Sequence, residues 1–295
     1  MDVSNTVDVS DPVAVANSVR GILENRYEGF DFSPIEVLAR DFSRLYRGSF
    51  PGFRACDIKY HDIQHVLDVT LAMARLLDGH DRSHDRAQCL GPELALAGIA
   101  AALFHDSGYI RRTRDSRHQN GAAYTRVHVG RGARFMADYL PQVGLRHMVG
   151  VCTRIVYFTG YTVAPGNIEV ADSRERRLGS LLGTADLIAQ MADIDYARKC
   201  RDHLYEEFEV GGMTGKFGRQ DHTGIVYRSP EHLLETTPDF MRKAIDERLN
   251  DHFDRAHRYA AVHFGGSNLY MDAIQTNFDD LEAILSGGGS GRAPA

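Results

Sequence analysis

The sequence predicts an all-α protein built around one helical core. Apolar residues recur at spacings of three and four through nearly the whole chain, two-residue alternation is scarce, and proline just inside a cap marks helix starts. Ser33-Pro34 opens a helix over residues 33–47, where the proline gives up only an N–H that a first turn leaves unused. Residues 48–60, rich in Gly, Pro and aromatic side chains, read as a loop. A helix over 61–77 follows, with Val66, Val69, Met73, Leu76 and Leu77 on one face. Gly91-Pro92-Glu93 starts a helix that ends at His105-Asp106 and is stopped by Gly108. Further helices are expected over 120–140, ended by Pro141, and over 145–158, 172–191, 193–209, 231–259 and 269–284. Gly-rich loops over 160–167 and 210–228 separate them, and the second has the composition of a mobile flap.

The organisation follows from these elements. Residues 1–11 are expected to be a disordered N-terminus, 12–228 a helical domain with its core at 55–210, 229–285 C-terminal helices packing on that core, and 286–295 a flexible Gly/Ser/Pro tail. The C-terminal helices carry Phe240, Met241, Phe253, Tyr259, Phe264, Tyr270 and Met271. Such a set completes a core, caps a pocket or forms a homodimer surface, and core completion is the commonest use.

Bulk properties exclude several classes. A chain of 295 residues with 43% apolar side chains has ample material for a packed core. A net charge of −6 and a pI of 6.1 argue against a surface that coats nucleic acid, which needs a Lys/Arg excess. Cys56, Cys89, Cys152 and Cys200 are scattered without a C-x-x-C pair, the pattern of a reducing compartment without a thiolate zinc site. The longest apolar run, residues 95–104 interrupted by Gly98, is too short to span a bilayer, and residues 1–12 lack signal-peptide character. A cytoplasmic location without membrane attachment is the expectation.

The chemistry concentrates in three places. His61, His65 and Asp68 fall on one helical stripe flanked by apolar residues. An H-x-x-x-H pair alone is a weak signal, since hydrogen-bonded histidines commonly fill such positions. His105-Asp106 closes a helix that is apolar almost all round, hence buried. The helix dipole favours His at that end but disfavours Asp, so a positive charge must compensate Asp106, and a cation is the economical choice. Asp186 stands alone among Leu182, Ala185 and Ala189; a salt bridge to an arginine is the plain alternative. Buried imidazoles and carboxylates each cost several kcal/mol if unpaired. One divalent cation held by His65, His105, Asp106 and Asp186 would offset that cost for all four.

In this order, His65, the His105-Asp106 doublet and distant Asp186 resemble the H…HD…D signature of the HD superfamily of metal-dependent phosphohydrolases, over residues 55–210. The run Tyr60-His61-x-x-x-His65-x-x-Asp68-Val69 is similar to the corresponding helix of class I cyclic-nucleotide phosphodiesterases. The resemblance implies an HD-type helical bundle, with His65, His105, Asp106 and Asp186 as ligands of a divalent metal and Asp106 able to bridge to a second ion. It also implies that His61 is the general acid and that His61 and Asp106 are the catalytic pair. The chain departs from the pattern where Asp62 replaces an asparagine. Of two further histidines found in binuclear relatives, His128 matches one, with Gly132 leaving room beside it. Phe158 occupies the place of the other, and loop residue His118 is a weak substitute.

The donor set suits Mn, Mg, Fe, Zn, Co or Ni, one ion per chain, with a second conditional on His128. Such an ion would acidify its water into a nucleophile. His61, with an unperturbed pKa of ~6.5, suits proton donation near neutral pH. Asp68 is either an orienting partner for His65 or a helix-surface acid. The basic loop after Tyr109 offers Arg111, Arg112 and Arg114 as phosphate-binding forks, against the plain reading of a solvated charge run. The leading expectation is a phosphohydrolase acting on a small phosphomonoester or phosphodiester, a nucleotide or cyclic nucleotide being the implied class. The alternative is a degenerate HD domain that binds nucleotide and signals without turnover. A third, an iron-dependent oxygenase on a related fold, ranks below both.

Overall fold

Helix α3 (Ile63–Arg82) is the axle of the structure. In this computed structural model, which describes residues 1–214 and 226–287, α3 is buried from His65 to Asp81 except at Asp68. Four helices enclose it: α1 (Pro12–Arg26), α4 (Gly91–Phe104), α7 (Ser173–Met191) and α11 (Arg258–Phe264). A helix covered on every side must satisfy its polar side chains within the protein. Arg75 donates to Asp2 and to the Tyr270 hydroxyl (2.9 Å). Asp78 pairs with His263 Nδ1 at 2.7 Å. Asp81 accepts from the Tyr27 hydroxyl at 2.7 Å and from the Leu90 and Gly91 amides at 2.9 Å, so an acid of α3 caps the start of α4.

The fold is all-α: among the described residues there is no strand or sheet, only isolated bridges pairing Phe53 with Arg112 and Thr214 with Tyr227. Three helices flank α4: α2 (Pro34–Tyr46), α5 (His128–Tyr139) and α6 (Val149–Ile155). Short helix α8 (Tyr196–Lys199) runs through a π-helical stretch (Cys200–Leu204) into α9 (Tyr205–Val210). Helix α10 (Pro230–Lys243) likewise continues into a π-helical stretch (Ala244–His252), and α12 (Leu269–Leu285) packs on α7 and α10. Among the described residues, no helix is long and apolar enough to cross a membrane.

Several expectations are corrected. The N-terminal stretch is packed rather than disordered, because buried Asp2 is held by Arg75, Ser4 and the amides of Thr6 and Val7. Helix α1 is an addition: Asp11 caps it through the Val13 amide and Pro12 occupies its first turn. The helix expected over 120–140 is a 3-10 turn (Gly121–Tyr124) followed by α5. That expected over 231–259 breaks at Asp254 and Arg255, both left-handed, before α11 begins. Ser33 adopts helical rather than cap geometry and makes no side-chain cap bond. Most of the expected flap (215–225) and tail (288–295) lies outside the described residues.

Replacing one partner of a buried ion pair leaves the other charge stranded. Asp2→Ala is therefore expected to lower unfolding free energy by about 3 kcal/mol, the low end for such a loss, in urea denaturation followed by circular dichroism.

Candidate metal centre and adjoining cavity

Helix α4 delivers the doublet. Leu96, Ile99, Leu103 and Phe104 are buried, each stabilising by about 1.5–3 kcal/mol. Together they can carry His105 and Asp106 to a depth where an unpaired polar group costs several kcal/mol. After Asp106 the chain tightens into a 3-10 turn (Ser107–Tyr109) against α5. Two glycines permit that approach. A Cβ on Gly108 would lie 1.8 Å from the His128 carbonyl oxygen, and one on Gly132 would lie 2.8 Å from that of His105. Gly132 thus admits the doublet's own backbone.

Asp62 caps α3 by accepting from the His65 amide at 3.0 Å, which explains how an acid stands where the resemblance has asparagine. One turn in, His65 Nε2 lies 3.5 Å from Asp106 Oδ2 and 3.4 Å from Asp186 Oδ1 of α7. His105 Nε2 lies 3.2 Å and 3.9 Å from the same two oxygens. The His105 Nδ1–H donates to the Ala102 carbonyl at 2.7 Å, which makes Nε2 the lone-pair nitrogen of the neutral ring. His128 repeats the device: Nδ1–H donates to the Thr125 carbonyl at 2.7 Å, and Nε2 faces Asp106 Oδ1 at 3.6 Å. Acceptors face acceptors around Asp106, an arrangement that demands positive charge between them.

His65 Nε2, His105 Nε2 and Asp106 Oδ2 are buried and make no hydrogen bond. Donor atoms of these three residues lie within 4.8 Å of one another, so the group could hold a metal ion. Protons take the ion's place electrostatically. Burial disfavours charge on His65, yet Asp106 and Asp186 raise it to about 10. Burial is likewise overcome at His105, raised by Asp106. Asp106, despite its burial, is held well below the carboxylate range by His105, His61 and His65. At His128 burial wins, and its pKa is lowered.

His61 sits beside this group and is held by a residue that sequence reasoning missed. Glu207 of α9 is buried; it accepts from His61 Nδ1 at 2.6 Å and from the Tyr60 and His61 amides at 2.6 and 3.4 Å. Burial of His61 is outweighed by the Glu207 charge, so its pKa is raised. The Tyr109 ring lies between His61 and His128, with centroids 4.6 and 4.4 Å away and planes inclined by 21° and 13°. His61, Tyr109 and His128 form one end of a cavity of about 440 Å³.

The structure brings together His61, His65, His105, Asp106, His128 and Asp186. It does not bring the three loop arginines to the cavity. Arg111 is buried against Asp57 (2.6 and 2.9 Å) and the His118 carbonyl, Arg112 lies over the Phe53 ring at 4.7 Å, and Arg114 is exposed. Arg126 lines the cavity in their place. His118 stays in the surface loop against Tyr124, and Phe158 is buried in the core near Phe253. Asp68 is pushed up to about 7 by burial and by Asp193; its placement is neither a simple surface acid nor a hydrogen-bond partner of His65. No protein-family model matches the chain, and no curated protein matches it.

Two outcomes are expected. Glu207→Gln removes the charge that raises His61, so the His61 pKa should fall, read by NMR titration of the imidazole. Gly108→Ala forces α5 away from the doublet, and a stability loss of about 3 kcal/mol or more is expected by thermal unfolding.

Proposed function

We propose that the protein is an HD-type, metal-dependent phosphohydrolase acting on a small phosphoester. The observation that carries this reading is the convergence of three buried, unpartnered donors (His65 Nε2, His105 Nε2 and Asp106 Oδ2) next to a histidine that Glu207 holds ready to carry a proton. His65, His105 and Asp106 would hold the ion, with Asp186 completing the set and His128 available on the far side of Asp106. A divalent cation in this donor set supplies a Lewis acid for a phosphoryl oxygen and acidifies a water molecule.

The chain's own residues do the rest. The ester oxygen, as it leaves phosphorus, gains negative charge and needs a proton while a water oxygen bonds to phosphorus. His61 supplies that proton, because Glu207 stabilises its protonated form. Tyr109 restrains the His61 and His128 rings from either side, which limits the rotation that would spoil proton delivery. Burial of Asp106 keeps its charge undiluted by water.

Purified protein should bind about one divalent ion per chain by elemental analysis, and His65→Ala or His105→Ala should remove it. With Mn, Mg, Co or Ni supplied, generic phosphoesters should be hydrolysed. His61→Ala should lower kcat by about 10²–10⁴-fold, the usual contribution of a positioned acid, with metal content retained. Protein whose metal content is indifferent to His65→Ala and which hydrolyses no phosphoester would overturn the proposal.

A further inference from the structure

The cavity beside the histidines has a lining that selects among phosphoesters. Its walls carry the rings of Tyr60, Tyr161, Tyr196, Phe208, Tyr227 and Phe240. Phe208 and Tyr227 stack at 5.2 Å, forming one broad aromatic surface. Polar groups among the rings are neutral: Thr159, Thr162, Thr236, Thr237 and Gln190, whose side-chain oxygen accepts from the Tyr60 hydroxyl at 3.2 Å. Arg126, at the His128 end, is the one Lys or Arg among the described lining residues.

Size and charge bear on the ligand together. About 440 Å³ falls in the range of small-molecule pockets, large enough for a bicyclic or ring-plus-sugar body but far short of a polymer. A phosphate monoester carries about −1.5 to −2 charge at pH 7. A divalent ion and Arg126 match one such group. A second or third phosphate would project toward rings and hydroxyls that offer no further cation, and buried anions without charged donors are strongly disfavoured. The chain's net charge of −6 adds a repulsive background for polyanions.

We infer that the site takes a single-phosphate ester whose remaining body is a flat, uncharged ring system, and discriminates against polyphosphates, oligonucleotides and ring-free phosphates. The inference rests on the phosphohydrolase reading only for turnover; the ligand class follows from the cavity and can be measured by binding. Threonines and Gln190 hydrogen-bond the heteroatoms of such a body, and the aromatic walls stack on its faces.

The test uses the full chain loaded with Mn. The probes are adenosine 5′-monophosphate, 4-nitrophenyl phosphate, glycerol 3-phosphate, adenosine 5′-triphosphate and a short oligonucleotide. The two ring monophosphates should show kcat/KM at least 10-fold above the other three, and the same ranking should appear in calorimetric affinities of the His61→Ala protein. Half-buried Phe240→Ala should weaken ring monophosphates about 10-fold and glycerol 3-phosphate less than 3-fold. Ring-monophosphate binding without turnover would support the ligand class while overturning the hydrolase reading. Equal or better use of the triphosphate or oligonucleotide would overturn the ligand class and leave hydrolysis standing. Loss of all binding selectivity, with Phe240→Ala affecting every probe alike, would overturn it as well.

Discussion

A carboxylate placed at the buried end of an apolar helix is the constraint that the rest of this structure answers to. Asp106 stands where the helix dipole is unfavourable and water is absent, so its charge must be met by neighbours. Those neighbours come from helices far apart in sequence: His65 from α3, His128 from α5, His61 from the approach to α3. Asp186 of α7 does not relieve the acid; it adds a second one. The summed arrangement is over-supplied with acceptors, and this excess distinguishes it from an ordinary buried salt bridge.

The fold makes the excess tolerable. Because α3 is enclosed by α1, α4, α7 and α11, the group lies on the inner side of a packed bundle and its members are fixed by backbone contacts rather than by one another. His105 and His128 are each tethered by Nδ1 to a carbonyl three residues earlier, a local restraint that survives whether or not Nε2 is engaged. Preorganisation of this kind costs stability where it sits and is compensated by the apolar lengths of α3 and α4.

Much of this was legible in the sequence. The histidines and acids of the centre stood out because polar residues inside apolar helical patterns violate the usual partition, and the helix around each could be placed from its cap or stop. Glu207 was not legible: it lies among Glu206 and Glu209 in a segment that reads as solvated, and its burial depends on Tyr60 and His61, which are 146–147 residues away in sequence. The fate of Arg111 depended on Asp57 across a loop whose path no local pattern gives. Helix α1 had readable signals in Asp11-Pro12 and in Val15, Val19 and Leu23, but the polar stretch before it masked them. The C-terminal helices do two of the three things their composition allowed: α11 and α12 complete the core, and α10 lends Thr236, Thr237 and Phe240 to the cavity.

The π-helical stretch between α8 and α9 has a consequence for inheritance. Tyr196, Cys200, Leu204 and Phe208 all reach the cavity at intervals of four, a spacing that an ordinary α-helix would rotate progressively away but that widened turns keep in line. Glu207 owes its bearing on His61 to the same widening. Loss of a single codon here would restore a regular helix and swing the acid aside without touching any residue of the centre. Point substitutions in this segment are therefore gentler accidents than a one-residue deletion, and natural length variation should avoid it.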